Sequence, residues 1–169
     1  MLTDYKCDIN RYGTDASLYI KLLMYTFRKA KSSKYTKKIW NLLFAFLASK
    51  NHLEISTNTQ IGAGLYIGHP FCITINPKAT LGKNINIHKG VTIGQTNRGK
   101  KKGVPTIGDD VWIGINSTIV GNITIGDDVL IAPNSYVNCD IPSHSIVFGN
   151  PCIIKPQDNA TEGYINRKC

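Results

Sequence analysis

Residues 105–137 read PTIGDDVWIGINSTIVGNITIGDDVLIAPNSYV, and an aliphatic side chain recurs there every six residues. The recurring positions are Ile107, Ile113, Ile119, Ile125, Ile131 and Val137. An α-helix has a period of about 3.6 residues and a β-strand a period of two, so neither element produces this spacing. A six-residue repeat is the sequence signature of a parallel β-helix, in which each repeat supplies one short strand and one corner.

The same spacing extends toward the N-terminus in two further frames. One frame runs from Ile55 to Ile73 and the next from Ile75 to Ile93, with a slip of two residues between them. Glycine, asparagine and aspartate follow many of these positions, and they tolerate the backbone conformations of a corner. One coil cannot stand alone, because its strands hydrogen-bond to the coils above and below. Three stretches that share the six-residue period favour a parallel β-helix over an ordinary β-sandwich.

The remaining parts of the repeat region, residues 51–169, are predicted from breaks in the period. Residues 95–105 are polar and rich in lysine and glycine, which predicts a loop that protrudes from the coil. Pro142 is expected to end the repeats, and residues 148–169 are expected to form an irregular tail that begins with a strand at 152–155. A tolerated surface insertion is the alternative interpretation of the loop.

Residues 1–50 lack the repeat and predict a short α-helical segment. Helices are expected over 15–31, with Asp15 as a cap, and over 36–49, after an irregular stretch at 1–14. Their predicted apolar faces consist of Leu18, Leu22 and Tyr25 in the first helix, and of Ile39, Leu42, Leu43, Phe46 and Leu47 in the second. We expect these helices to cap the open end of the coil, as terminal elements of repeat proteins do.

Charge is distributed unevenly along the chain. The formal net charge is +9, and residues 1–50 hold ten Lys and Arg against three Asp, whereas residues 51–169 hold ten against eight acidic residues. The basic stretch 28–40 could therefore also contact an anionic membrane surface, a role compatible with capping. Nucleic-acid binding is not expected, because aromatic residues do not alternate with the basic ones as in known modules.

The cysteines and the longest apolar run limit the location of the protein. Five cysteines show no metal-ligand spacing, their number is odd, and no signal peptide precedes them, so a reduced cytoplasmic protein is expected rather than a disulfide framework. The run from Ile39 to Ala48 is too short to cross a bilayer. We therefore expect a cytoplasmic protein that could contact the inner face of the membrane.

Among the four histidines, His69 is the best candidate for chemistry. It lies two positions after Ile67, at a corner, where an imidazole could point outward and take a proton from an alcohol. An outward-facing surface histidine is the plain alternative. His88 is expected at the corresponding corner one coil later. The chain has no GxSxG elbow, P-loop or zinc-ligand pattern, so no metal is expected.

Five short motifs resemble the hexapeptide-repeat acyltransferases. They are Ile67-Gly68-His69, Ile73-Thr74-Ile75-Asn76-Pro77, Gly90-Val91-Thr92-Ile93-Gly94, Pro105-Thr106-Ile107-Gly108 and Gly149-Asn150-Pro151. The stretch from Leu53 to Lys155 is similar to serine acetyltransferases, and more similar to short surface-polysaccharide O-acetyltransferases of the colanic acid acetyltransferase type. This resemblance implies that the β-helix is left-handed, which the spacing alone does not prove. It implies an acyltransferase that uses acetyl-CoA.

The resemblance also assigns catalytic roles. His69 corresponds to the family's catalytic base, and Glu54, fifteen residues upstream, to the carboxylate that orients it. Two departures concern the acceptor: Gly68 replaces an aspartate of serine acetyltransferases, and Gly103-Val104 replaces an Arg-His pair. Because those groups hold the charges of an amino acid, we expect O-acetylation of a sugar or surface-polysaccharide precursor. Serine O-acetylation, as in cysteine biosynthesis, is the alternative.

Cofactor contacts and assembly follow from the same resemblance. It implies a homotrimer with active sites between neighbouring coils, and acetyl-CoA contacts at Gly94, Ile115, Pro133 and Lys155. Lys100 to Lys102 are expected to meet either CoA phosphates or an anionic acceptor. A non-catalytic β-helix used for assembly is a third interpretation of the chain.

Overall fold

The computed structural model describes residues 2–33 and 35–169. Three helices, α1 (Leu2–Tyr12), α2 (Leu18–Ser32) and α3 (Lys37–Ser49), precede fifteen short strands, and a 3-10 turn at Gly13–Asp15 joins the first two helices. The strands form three sheets that are the three sides of one left-handed parallel β-helix, so the predicted fold is confirmed.

Each sheet takes one strand from each successive coil. The first sheet contains β1 (Leu53–Ile55), β4 (Ile73–Ile75), β7 (Thr92–Gly94), β10 (Thr118–Val120) and β13 (Tyr136–Val137). The second contains β2 (Gln60–Ile61), β5 (Thr80–Leu81), β8 (Thr106–Ile107) and β11 (Thr124–Ile125). The third contains β3 (Tyr66–Gly68), β6 (Asn86–His88), β9 (Val111–Ile113), β12 (Val129–Ile131), β14 (Ser145–Phe148) and β15 (Ile153–Pro156).

The six-residue pattern places its aliphatic side chains inside the coil. Ile73, Ile93 and Ile113 are fully buried, and the side chains from successive coils form one continuous core. Ile55 of the first coil is only half-buried. A regular coil takes eighteen residues, as the pairing of Thr74 with Thr92 shows.

The two-residue slip in the sequence is an enlarged corner of the first coil. Gly68 pairs with His88 and Ile75 pairs with Ile93. The chain therefore takes seven steps from Gly68 to Ile75 but only five from His88 to Ile93. The two extra residues lie in the corner 69–72, which contains His69.

Residues 95–105 interrupt the regular coil between β7 and β8. The backbones of Thr96 and Gly103 exchange two hydrogen bonds of 3.0 Å, so the insertion closes on itself as a short antiparallel loop. The Lys101 ammonium donates to the carbonyl of Asn138 at 2.8 Å. One of the three loop lysines is thus held against a later coil.

Residues 2–12 form a helix, so the prediction of an irregular N-terminus is wrong. The Asp8 carboxylate of α1 is fully buried, accepts from the Arg28 guanidinium at 2.7 and 2.8 Å, and accepts from the N–H groups of Gly64 and Leu65 at 2.9 Å. Burial raises the pKa of Asp8, and Arg28 opposes that shift. A sequence pattern does not predict this contact, because twenty residues separate the two partners.

The expected cap of the coil is present, but it uses different faces of the helices. Arg28 of α2 donates to the carbonyls of Ile61 and Gly62 at 2.8 and 2.7 Å, which holds α2 on the first coil. Phe27 and Phe44 are buried with their ring centroids 5.4 Å apart. Most residues of the predicted apolar faces are exposed, namely Leu18, Leu22, Ile39, Leu42, Leu43 and Phe46. Asp15 does not cap α2; Ser17 does, accepting from the N–H of Ile20 at 3.3 Å.

Both ends of the third sheet are closed by other parts of the chain. At the first strand, the Tyr12 hydroxyl donates to the carbonyl of Ile67 at 3.3 Å and accepts from its N–H at 2.7 Å. At the last, β15 pairs antiparallel with β14. The repeats thus continue beyond Pro142 for one more strand, and the strand expected near 152–155 is confirmed as β15.

The C-terminal tail returns to the first helix, where Cys169 forms a disulfide with Cys7. The expectation of reduced cysteines is wrong for this pair, which spacing does not reveal because 162 residues separate the two partners. Cys139 and Cys152 are free thiols whose sulfur atoms lie 3.5 Å apart.

Within residues 2–33 and 35–169, no helix combines the length and apolar character that a bilayer crossing requires.

Candidate functional site

His69 projects from the enlarged corner of the first coil. Its backbone has a φ of 55°, in the left-handed region, and its side chain is exposed. In the described part of the chain, the imidazole makes no hydrogen bond. A ring held at a corner and free of hydrogen-bond partners is able to accept a proton from a bound alcohol.

Glu54 lies on the first sheet, at an outward position of β1. Its carboxylate accepts a hydrogen bond of 3.3 Å from the Thr74 hydroxyl on β4. The corner that contains His69 leads directly into β4, and the N–H of Cys72 in that corner donates to Asn51 beneath it at 3.0 Å. Glu54 and His69 thus belong to adjoining parts of the molecule, although no hydrogen bond or ion pair joins them among the described residues.

A wide groove of about 850 Å³ separates α3 from the first sheet. Glu54 and Gly94, two predicted site residues, both line it, together with Thr74 and Asn76. Its floor is formed by outward-facing strand residues and its wall by Asn41 and Ala45 of α3. The groove is therefore large enough for an extended ligand that passes the Glu54 carboxylate.

The other predicted acetyl-CoA contacts lie elsewhere on the coil. Ile115 and Pro133 occupy the same corner in successive coils, where the N–H of Asn134 donates to the carbonyl of Ile115 at 2.9 Å. Lys155 is exposed on β15, opposite Ile146. The structure thus groups these residues in two places, one at a corner and one on the third sheet, apart from the groove that contains Gly94.

His88 does not occupy the corner that corresponds to His69, so that prediction is wrong. It ends β6 and pairs with Gly68, because the first coil contains the two extra residues. Its Nδ1 lies 2.9 Å from the carbonyl of Ile113, which can only accept, so Nδ1 carries the proton and Nε2 is an acceptor. Burial lowers the pKa of His88, and the neighbouring His69 lowers it further.

A second pocket, of about 300 Å³, lies on the outer face of the third sheet beside His88. Its aromatic residues form a row: ring centroids are 4.5 Å apart for Tyr12 and Tyr66, 4.7 Å for His88 and Trp112, and 5.1 Å for Trp112 and Tyr164. The sequence analysis missed this pocket. Tyr66, His88 and Trp112 do flank the inward aliphatic positions, but nothing in the repeat indicates that the tail would cover them.

The same pocket contains a buried cation. Arg11 is 5% exposed, and it donates to the carbonyl of Asn166 at 2.5 Å and to the Asn86 side chain. Its Nε has no hydrogen-bond partner among the described residues. A buried donor without a partner costs about 1–3 kcal/mol, so this nitrogen is a destabilising feature of the pocket wall.

Comparison with known proteins places the chain among related sequences and folds. Residues 105–139 match the bacterial transferase hexapeptide family (six repeats). Over 111 residues, which are 66% of the chain, it is 40% identical to the serine acetyltransferase of Staphylococcus xylosus, and those residues cover 51% of that relative. The resemblance to serine acetyltransferases is confirmed.

Solved serine acetyltransferases share the fold. The soybean apoenzyme superposes with a TM-score of 0.77 at 25% identity, covering 90% of this chain and 68% of that one. The Neisseria gonorrhoeae enzyme in complex with serine gives 0.71 at 27% identity, covering 91% and 68%. The chain spans about half the length of the curated serine acetyltransferases it matches. The closer resemblance to surface-polysaccharide acetyltransferases stays a prediction.

Proposed function

We propose that this chain transfers an acetyl group from acetyl-CoA to the hydroxyl of a small acceptor, with His69 as the general base. The observation that carries the proposal is the His69 imidazole, free of hydrogen bonds in an enlarged corner, on a coil related to serine acetyltransferases. The neighbouring Glu54 and the 850 Å³ groove supply a carboxylate and room for a long cofactor.

The reaction would proceed by direct attack. His69 removes the acceptor's hydroxyl proton while the oxygen attacks the thioester carbonyl carbon, and the imidazolium returns the proton to the departing CoA sulfur. The C–O bond of the ester forms as the C–S bond breaks, so no acyl-enzyme is needed. Glu54 would stabilise the imidazolium once bound substrates bring its carboxylate within hydrogen-bonding distance of the His69 ring. A neighbouring copy in a homotrimer would complete the site, with Ile115, Pro133 and Lys155 contacting CoA.

L-serine is the first candidate acceptor, because the sequence relatives are serine acetyltransferases. A sugar hydroxyl is the second candidate, and two observations favour it. Gly68 and Gly103-Val104 offer no side-chain charges for an amino acid. The pocket beside His88 is lined by Tyr66, Trp112 and Tyr164, and aromatic side chains can pack against the apolar face of a sugar ring.

The test is the rate of CoA thiol release from acetyl-CoA with L-serine or with a panel of nucleotide sugars and oligosaccharides. General base catalysis contributes about 10²–10⁴-fold, so His69→Ala should lose that factor while it keeps its circular dichroism spectrum and CoA affinity. His144→Ala, an exposed histidine at the far end of the coil, is the matched control and should keep full activity. Wild-type turnover by His69→Ala would contradict the proposal.

A further inference from the structure

The helix α3 presents an apolar face to solvent. Ile39, Leu42, Leu43 and Phe46 are 59, 74, 43 and 61% exposed. They follow the spacing i, i+3, i+4, i+7, so they form one continuous stripe along the helix. We call these four residues the α3 apolar face.

Capping of the coil does not use this face. The opposite side of α3 packs on the protein through Phe44 and Ala48, which are 4 and 3% exposed. The helix is therefore apolar on both sides. Solvated helices of a single globular protein have a polar outer side, so an exposed apolar stripe indicates a binding surface.

The neighbouring helix α2 extends the surface. Its Leu18 and Leu22 lie one turn apart and are 73 and 45% exposed. The Tyr19 hydroxyl of α2 donates to the carbonyl of Leu47 at 3.0 Å, which fixes this half of α2 beside the C-terminal half of α3. The two helices thus carry exposed apolar residues on adjoining segments.

The charged residues of α2 and α3 themselves are all basic. Residues 16–53 contain no Asp or Glu. Exposed lysines stand at Lys21, Lys31, Lys37, Lys38 and Lys50. The Lys50 ammonium lies 4.7 Å from the centre of the Phe46 ring, at the edge of the α3 apolar face. Arg28 is not available to a partner, because it is buried in its ion pair with Asp8.

We propose that the α3 apolar face, with its surrounding lysines, docks this protein on an anionic lipid surface. Apolar side chains enter the boundary between headgroups and acyl chains while lysines meet the negative headgroups, which is the arrangement of interfacial amphipathic helices. A second copy docked face to face would oppose two basic surfaces without an acidic residue from 16 to 53 to offset them. The charge therefore favours the lipid surface as the occupant.

The experiment is flotation of the full chain with vesicles of phosphatidylcholine alone or with 30% phosphatidylglycerol. Binding is expected only to the anionic vesicles, and it should weaken in high salt because screening reduces lysine attraction. Leu42→Glu/Phe46→Glu should lower the affinity at least about tenfold. Lys37→Ser/Lys38→Ser should lower the affinity for anionic vesicles about fivefold for each lysine removed.

Ile153→Glu is the control for an added carboxylate, since it places one Glu at an exposed aliphatic position on β15 and should bind like the wild type. Thermal unfolding and light scattering establish that each variant folds and report its oligomeric state. The proposal is overturned by absent or equal binding to both vesicles, or by unchanged binding of Leu42→Glu/Phe46→Glu. It is also overturned if that variant alone loses a wild-type oligomer, because the face would then join two copies.

Discussion

The imidazole of His88 occupies the space that a side chain at position 68 would need. A Cβ built on Gly68 would lie 2.6 Å from Cδ2 and 2.8 Å from Nε2 of His88. The ring is fixed by its hydrogen bond to Ile113 and by its contact with Trp112. The absence of a side chain at Gly68, just before the proposed base, therefore leaves room for the His88 ring one coil later.

This pairing predicts the cost of a side chain at position 68. Gly68→Ala should reduce the free energy of unfolding by about 1–3 kcal/mol, because the fixed ring has to move. Urea denaturation measures the effect. In Gly68→Ala/His88→Ala the added methyl group should cost less than it does alone, since the obstacle is gone. If the methyl group lowered the free energy of unfolding equally with and without the His88 ring, the contact would be contradicted.

The buried His88 also predicts a dependence of stability on pH. Its pKa is lowered in the folded state by burial and by His69, so below the usual value of 6.5 the unfolded chain binds more protons than the folded one. Stability should accordingly fall as the pH drops below about 6.5 and level off below the folded-state pKa. His88→Gln should show a smaller fall in denaturation midpoints between pH 7 and 5.

Replacing Glu54 tests its role in positioning His69. Glu54→Gln should lower kcat/KM by less than His69→Ala, because the base itself remains. Glu54→Asp, which keeps the negative charge, should recover part of the activity that Glu54→Gln loses. Thr74→Val removes the 3.3 Å hydrogen bond but keeps the carboxylate, and should retain most of the wild-type kcat/KM. A wild-type kcat/KM in Glu54→Gln would exclude the role.

Loss of the buried ion pair between Asp8 and Arg28 should destabilise the fold. Asp8→Ala leaves the Arg28 guanidinium buried without its anion and frees the N–H groups of Gly64 and Leu65. We expect a loss of about 3–5 kcal/mol in the free energy of unfolding, measured by urea denaturation. The double variant Asp8→Ala/Arg28→Met should lose less free energy of unfolding than Asp8→Ala, because no unpaired charge stays buried. A larger loss in the double variant would show that the ion pair itself supplies the stability.

The thiols of Cys139 and Cys152 should form a disulfide under mild oxidation, because their sulfur atoms lie 3.5 Å apart. Diamide would accept the two hydrogens as the S–S bond forms. Burial and the adjacent Cys152 raise the pKa of Cys139, so the reaction should accelerate at alkaline pH. Alkylation followed by mass spectrometry should then label the exposed Cys72 but not this pair. Labelling of all three would contradict the prediction.

The repeat predicted the coil because its period reflects a local rule that each hexapeptide obeys by itself. Ile67, Ile87 and Ile113 could be assigned to one buried column from spacing alone. The corner at 69–72 was visible only as a slip, and its effect on the register of His88 required the pairing of whole strands.

Long-range contacts were beyond the sequence analysis. The period of 3.6 residues identified apolar positions in α2 and α3 but not which side faces the protein, since both sides are apolar. Leu42 and Phe46 do lie on the predicted apolar face, but that face is exposed to solvent. The pocket at Trp112 also depends on tail residues such as Tyr164, which lie far away in the sequence.

The closed ends of the third sheet determine how copies of this protein can meet. An unpaired strand edge invites another chain to add to the sheet. Here Tyr12 occupies the backbone groups of Ile67 at one end, and β15 runs against β14 with Pro156 in its last position at the other. At the Tyr12 end, another molecule therefore cannot add a strand through Ile67. At the other end, an added strand would meet β15, whose last residue Pro156 has no N–H to donate.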